Sequence, residues 1–148
     1  MSTMKDLPDH HDAELVLRLY DLRREARMRE AREAMSRDYW PSSAAEACAP
    51  IPRTHPLNSA WRQTTSYWEM VFNMAQRGII HPGYLIENSP EGLVLFAKAE
   101  PWLAAIREAS SPRVFRHTEW AATSTDTGRE LMSEIRTRIK KAMASRAS

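Results

Sequence analysis

Residues 9–40 read DHHDAELVLRLYDLRREARMREAREAMSRDYW and contain neither Gly nor Pro. Acidic and basic residues recur along this stretch at helical spacing, as in Glu25 and Arg29. Each such pair, four residues apart, stabilises a helix by a few tenths of a kcal/mol. Pro41 ends the pattern, because a proline disfavours helical geometry in the residue before it. The sequence therefore predicts one long N-terminal helix over residues 9–39.

The predicted helix is long for a chain of this size. At ~1.5 Å per residue it would extend about 45 Å, whereas a compact domain of this chain length has a diameter of about 40 Å. Its apolar residues also change sides: Leu15 and Leu19 form one stripe, but Met28, Ala31 and Met35 lie on nearly the opposite face. Either the second half is a solvated extension of a core helix, or those three residues contact a second subunit.

Proline and glycine divide the rest of the chain. Residues 41–57 contain four prolines and predict a linker with one short helical turn, and residues 58–144 predict a helical core. Gly78 suits the position after a helix C-terminus, and Pro101 predicts a kink or a new start within a helical pattern. No stretch has a convincing strand pattern. The sequence predicts an all-α single domain, a bundle of five to six helices with a long N-terminal helix.

Composition points to an ordinary globular protein. Hydrophobic residues make up 43% of the chain and charged residues 27%, and a net charge of +2 is too small to imply a polyanionic partner by itself. The single Cys48 excludes an intrachain disulfide and fits a reducing compartment. No apolar run is longer than the five residues of 93–97, which is far too short to cross a bilayer, and the N-terminus has no apolar signal region. We expect a cytoplasmic protein without a membrane span.

Two polar surfaces are candidate binding sites. On the helix predicted from residue 58, Arg62, Glu69 and Asn73 lie on one narrow stripe, which is either the solvent side of a core helix or the floor of a polar groove. The last helix ends in a basic segment that either complements the helix dipole or contacts a polyanion. The basic residues of this segment are Arg136, Arg138, Lys140 and Lys141.

No set of residues for catalysis, metal binding or cofactor binding emerges. The dense cluster of His and carboxylate residues at 9–14 lacks the Glu-x-x-His pattern of di-iron bundles and has no matching cluster elsewhere. Cys48 has no cation or His nearby in the sequence to activate it. The glycines fit neither the P-loop nor the dinucleotide fingerprint. We expect no cofactor and no metal, and the pattern argues against an enzyme without excluding one.

The segment Ser66-Tyr-Trp-Glu-Met-Val-Phe72, followed by Gly78-Ile-Ile and an aromatic helix around Phe96 and Trp102, resembles uncharacterised small bacterial all-helical proteins. The resemblance covers residues 58–120. It implies an all-helical fold and carries over neither an activity nor a functional residue.

Three hypotheses about function follow. The first is a non-enzymatic interaction or scaffold subunit that binds itself or another protein through Met28, Ala31 and Met35. The second is a nucleic-acid-associated protein that uses the basic last helix. The third is a small-ligand binder or an enzyme with a pocket near Arg62 and Glu69.

Overall fold

A computed structural model describes residues 5–148, and this part of the chain contains helices and no strand. The all-α prediction is confirmed, but the chain has more helices than the five to six expected. None of the described helices combines the length and the apolar character that crossing a membrane requires. The helices are α1 (His10–Arg23), α2 (Ala26–Asp38), α3 (Ala44–Cys48), α4 (Asn58–Gln76), α5 (Pro82–Asn88), α6 (Pro90–Ala99), α7 (Leu103–Ala109), α8 (Arg116–Ser124) and α9 (Asp126–Ala147), with a 3₁₀ turn at Glu100–Trp102 between α6 and α7.

The core is built around α4 and α6. One side of α4 packs against α2 and another against α8, while α6 packs against α8 and α9. Seven of the ten residues of α6 are buried, so this short helix is enclosed on most sides. Phe115, just before α8, contacts Trp61 of α4 and Phe96 of α6, with ring centroids 5.7 and 5.6 Å away. Aromatic packing therefore joins the three helices at one point.

The prediction of a single N-terminal helix is wrong, because the chain bends between α1 and α2. The amide of Arg24 donates to the carbonyl of Asp21 at 3.1 Å, which closes the last turn of α1. Glu25 then leaves helical geometry, and its carboxylate accepts hydrogen bonds from the amides of Arg27 and Met28 at the start of α2. An acidic side chain thus caps the second helix where the sequence has neither Gly nor Pro.

The bend accounts for the change of sides of the apolar residues. Leu19 of α1 is 6% exposed, and Ala31 and Met35 of α2 are 5% and 3% exposed. Met28 is half-buried against the same core. Because the two helices change direction, both stripes face one interior. Of the three residues predicted to contact a second subunit, Ala31 and Met35 are buried within this chain, where α2 packs against α4, and Met28 is only partly covered.

Several helix ends follow their sequence signals. Gly78 has a φ of 77°, in the left-handed region that favours glycine, and the amide of Ile79 reaches back to the carbonyl of Met74 at 2.9 Å. Pro101 interrupts the helical pattern as predicted, since a proline nitrogen cannot donate a helical hydrogen bond, and the chain forms the 3₁₀ turn before α7.

A close contact fixes the first turn of α9 against α8. A Cβ atom added to Gly128 would lie 1.7 Å from the carbonyl oxygen of Ala121, so only glycine fits there. Thr125 joins the two helices, donating to the Ala121 carbonyl at 2.7 Å and accepting from the Gly128 amide at 2.9 Å. The direction in which α9 leaves the body is thereby set near residue 128.

Candidate functional site

Glu69, predicted to face solvent or a groove, caps α8. The residue before α8, Phe115, has a φ of 62° and makes no capping hydrogen bond with its own side chain. Glu69 supplies the missing acceptor: Oε1 accepts from the Thr118 amide at 2.8 Å and its hydroxyl at 2.7 Å, and Oε2 accepts from the His117 amide at 3.0 Å. This carboxylate therefore docks α8 onto α4.

Of the neighbours of Glu69 on the stripe, Arg62 has a side-chain partner and Asn73 is only partly satisfied. Arg62 donates from Nε to Oδ1 of Asn58 at 3.0 Å. Oδ1 of Asn73 is buried and has no hydrogen-bond partner within residues 5–148. A shallow depression of about 430 Å³ lies beside Arg62 and Glu69 and is walled by Trp61 and Phe115. Because Glu69 is committed to capping, this depression presents few free polar groups.

The acidic start of α1 holds the helix in place. Asp12 has no exposed side-chain area, and it accepts from the amides of His81 and Asp9, each at 2.8 Å, and from Nζ of Lys5 at 3.1 Å. Burial raises the pKa of this carboxyl, but those hydrogen bonds outweigh burial and lower the pKa to about 2. Within residues 5–148, no group of three or more His, Cys, Asp or Glu residues is placed to hold a metal ion.

At the basic end of α9, one residue forms an ion pair within residues 5–148 and the others do not. Arg136 forms a two-pronged ion pair with Glu100, with Nε–Oε1 at 2.9 Å and Nη2–Oε2 at 2.6 Å. Arg138, Lys140 and Lys141 are exposed. The ion pair joins α9 to the 3₁₀ turn.

A cavity of about 450 Å³ opens at this junction, and we call it the Lys98 groove. One wall is the segment that follows α2, the second is the end of α6 with the 3₁₀ turn, and the third is α9. Most of its lining is apolar. Its walls include Trp40, Pro41, Ala97, Lys98, Glu100, Pro101, Trp102, Arg136, Ile139, Lys140 and Met143.

Lys98 is the unusual residue of this groove. The residue is only 6% exposed, and its Nζ donates to the carbonyl of Met35 at 3.3 Å and lies 3.9 Å from the centroid of the Trp40 ring. It makes no ion pair with any carboxylate in the described part of the chain. Burial, together with the charge of Arg146, lowers the pKa of the Lys98 ammonium to about 8, while the charge of Glu91 opposes this shift. A buried cation is thus left without a direct ion pair.

Contacts within the chain hold the ring of Trp40 in place. Its indole Nε1 donates to the carbonyl of Ser36 at 2.8 Å. The guanidinium of Arg146 lies 4.9 Å from the ring centroid, so two cations contact the same aromatic ring. A ring held in this way offers a rigid apolar wall.

The charges around the groove favour an anion. Lys98, Arg136 and Lys140 line it, against the single carboxylate of Glu100. Glu100 is committed to Arg136, which leaves Lys98 and Lys140 without a carboxylate partner in residues 5–148. The groove can therefore accept an acidic group beside an apolar body.

Sequence reasoning missed Lys98, although a signal was present. The lysine directly follows residues 93–97, an apolar run of five residues, and lies on a helix rich in apolar residues. A charged residue within such a run is rarely buried unless it has a partner or a function. From the sequence, Trp40 is recognisable only as a residue at the end of a helix, and its contact with Lys98 is not.

Comparison with the sequence profiles of protein families assigns most of the chain to one family. Residues 8–125 match the family described as "Domain of unknown function (DUF4760)". Searches of curated proteins and of solved structures found no match. The matched range includes Trp40 and Lys98 but ends just before α9, which forms the third wall of the groove. Since the match covers more than half of its length, the chain belongs to the DUF4760 family, a domain of unknown function.

Proposed function

We propose that this protein is a binding protein for a small molecule with an acidic group on an apolar body, and that the Lys98 groove is the binding site. The observation that carries the proposal is the buried Lys98, which lines an apolar cavity and forms no ion pair with a carboxylate within residues 5–148. The proposal keeps the small-ligand hypothesis from the sequence and moves its site from Arg62 and Glu69.

Charge and volume both support this class of ligand. A buried charge is costly to leave without a counter-ion, and an acidic ligand would supply one in a place that excludes water. A volume of about 450 Å³ lies within the range of small-molecule sites. Trp40 and Trp102 provide aromatic surface for the apolar body, while Lys140 lies at the exposed side.

The test compares an acid with a neutral molecule of the same shape. Naphthalene-2-carboxylate and naphthalene-2-carboxamide are titrated separately at pH 7, and binding is followed by calorimetry and by tryptophan fluorescence. We expect the acid to bind about tenfold more tightly than the amide, because a hydrogen bond to a charged group contributes ~1.5–3 kcal/mol.

The variant Lys98→Met identifies the site. It should bind both probes with similar affinity, while the matched variant Lys141→Met, which changes an exposed lysine of α9, should keep the preference for the acid. Equal affinity of the wild-type protein for both probes, or a preference that survives in Lys98→Met, would contradict the proposal.

The other two hypotheses remain proposals with less support. Self-association through Met28, Ala31 and Met35 is less favoured, because Ala31 and Met35 lie inside the chain's own core. A nucleic-acid contact is favoured only by the exposed Arg138 and Lys141. Light scattering tests the first, and salt-dependent retention on nucleic acid tests the second.

A further inference from the structure

A second cationic cavity lies at the bend between α1 and α2, and we call it the arginine cleft. Its volume is about 440 Å³, and its lining is mainly polar. The charged groups on its walls are four guanidinium groups and two carboxylates. These belong to Arg23, Arg24, Arg29, Arg32, Glu33 and Glu91.

One arginine and one carboxylate of the cleft neutralise each other. Nε of Arg32 donates to both oxygens of Glu91 at 2.9 and 3.0 Å, and its Nη2 lies 2.9 Å from Oε2 in the same ion pair. The remaining nitrogen of Arg32, Nη1, donates to the carbonyl of Arg23 at 3.1 Å. Arg32 and Glu91 therefore form a fixed wall that joins the bend to α6.

Arg23 is only partly satisfied by its surroundings. Its Nη1 lies 3.9 Å from the nearer oxygen of Glu91, beyond hydrogen-bond distance, and its buried Nε has no acceptor within residues 5–148. Its guanidinium lies 4.6 Å from the centroid of the Tyr20 ring, and that of Arg24 lies 5.4 Å away. An oxyanion in the cleft would lie beside a guanidinium whose charge is only weakly paired with Glu91.

The cleft holds more free positive than negative charge. Neither Arg24 nor Arg29 forms an ion pair in the described part of the chain, and Glu33 is the single cleft carboxylate left outside an ion pair there. The first amides of α2 already bind Glu25, so an incoming anion would contact guanidinium groups and not the helix terminus.

The surroundings of the cleft favour a compact anion over a long one. Asp21, Glu25 and Glu30 are exposed on the helices that form the bend. Their charges would repel the neighbouring phosphates of an extended polyanion, whereas a single phosphate group inside the cleft would have no such neighbours.

We infer that the arginine cleft binds a phosphate group carried by a small soluble molecule. The planar guanidinium group donates two parallel hydrogen bonds to a phosphate, and the cleft brings Arg23, Arg24 and Arg29 to one cavity. The cavity has room for an organic body as well as the phosphate. This inference is independent of the function proposed for the Lys98 groove, because the two cavities share no lining residue.

The test uses inorganic phosphate and ribose 5-phosphate at constant ionic strength, with ribose and chloride as controls. Binding is measured by calorimetry and by shifts of backbone amide signals in NMR spectra. We expect saturable binding of both phosphates with dissociation constants of about 1 mM or tighter, and shifts confined to the bend between α1 and α2.

Matched variants identify the arginines. The double variant Arg24→Gln with Arg29→Gln should bind phosphate at least tenfold more weakly, because each lost hydrogen bond to an ion weakens binding by about tenfold. The control, Arg113→Gln with Arg116→Gln, removes the same charge from another exposed surface and should bind like wild type. The variant Glu33→Gln removes a carboxylate from the cleft and should bind several-fold more tightly, which separates a change in the site from a loss of folding.

Three results would overturn the inference. They are the absence of saturable phosphate binding, equal weakening in the two double variants, and tight binding of a thymidine oligonucleotide without binding of ribose 5-phosphate. The last result would make the bend a polyanion contact.

Discussion

The Lys98 groove and the arginine cleft lie near opposite ends of α2 and hold positive charge in different ways. In the groove, one lysine is 6% exposed with its ammonium against an aromatic ring, and burial is the main cause that lowers its pKa to about 8. In the cleft, several guanidinium groups share a polar cavity open to water. A lysine can lose its proton when buried, whereas an arginine stays charged. We therefore expect the Lys98 ammonium to lower the free energy of unfolding and to make that free energy depend on pH. The arginines of the cleft should do neither.

Lys98→Met should have the largest effect and should stabilise the protein. A pKa lowered from 10.5 to about 8 corresponds to a cost of about 3 kcal/mol for keeping the ammonium buried at neutral pH. Methionine fills similar space without a charge, so urea unfolding should give a free energy of unfolding higher by about 2–3 kcal/mol. Lys141→Met, at an exposed position, should stay within ~0.5 kcal/mol of wild type. A destabilised Lys98→Met would mean that the ammonium is well compensated.

The dependence of the free energy of unfolding on pH is a second measure of what it costs to keep the Lys98 ammonium buried. Above pH 8 the folded chain releases the Lys98 proton while the unfolded chain keeps it up to about 10.5, so wild-type stability should rise between pH 8 and 10. The rise should vanish in Lys98→Met. The range stops at pH 10 because burial raises the pKa of Tyr67 from 10.0 to about 12, and ionisation in the unfolded chain lowers stability beyond that point.

Asp12→Asn should destabilise the protein by about 2 kcal/mol, because an amide cannot accept both backbone amide hydrogen bonds and the Lys5 ammonium as a carboxylate does. Asp12 anchors the start of α1, which carries Arg23 at its other end. Amide hydrogen exchange should therefore increase along α1 and at the cleft while the groove stays protected.

Acid should act on the wild-type protein in the same way. The Asp12 pKa of about 2 lies below the ordinary value of 3.8, so its contribution is present above pH 4 and is lost as the pH falls towards 2. A circular-dichroism acid titration of wild type and Asp12→Asn measures this loss. Equal acid sensitivity of the two proteins would show that Asp12 contributes little.

Glu91→Gln should have the smallest effect on stability, a loss of about 1 kcal/mol, because the ion pair with Arg32 is partly exposed. Its effect on the two sites should differ. Removing a carboxylate from the cleft should tighten phosphate binding there, whereas binding of naphthalene-2-carboxylate in the groove should change less, because Glu91 acts on Lys98 only through its charge. Thermal unfolding and the two binding titrations provide the measurements.

The sequence predicted those parts of the fold that depend on local signals. Residues 58–76 form one helix because of their periodic aromatic residues, Gly78 follows it in the left-handed conformation, and Pro101 interrupts the next helical pattern. Each of these features depends on the conformational limits of a few neighbouring residues.

The bend after Arg23 could not be predicted in this way. Arg24 and Glu25 are both compatible with a continuous helix, and the bend is favoured because it buries Leu19 and Met35 in one core. The switch of the apolar stripe is visible in the sequence, but there it fits either a solvated extension of a core helix or a contact with a second subunit. The burial of Lys98 likewise depends on Trp40, which is distant in the sequence.

The contact at Gly128 has a mechanical consequence for the groove. Ile139 of α9 lies eleven residues further along the helix, a distance of about 16 Å at ~1.5 Å per residue. A tilt of α9 by about 5° at its first turn would displace that wall by about 1.4 Å, roughly the radius of a water molecule. The width of the Lys98 groove, several helical turns away, therefore depends on residue 128 having no side chain.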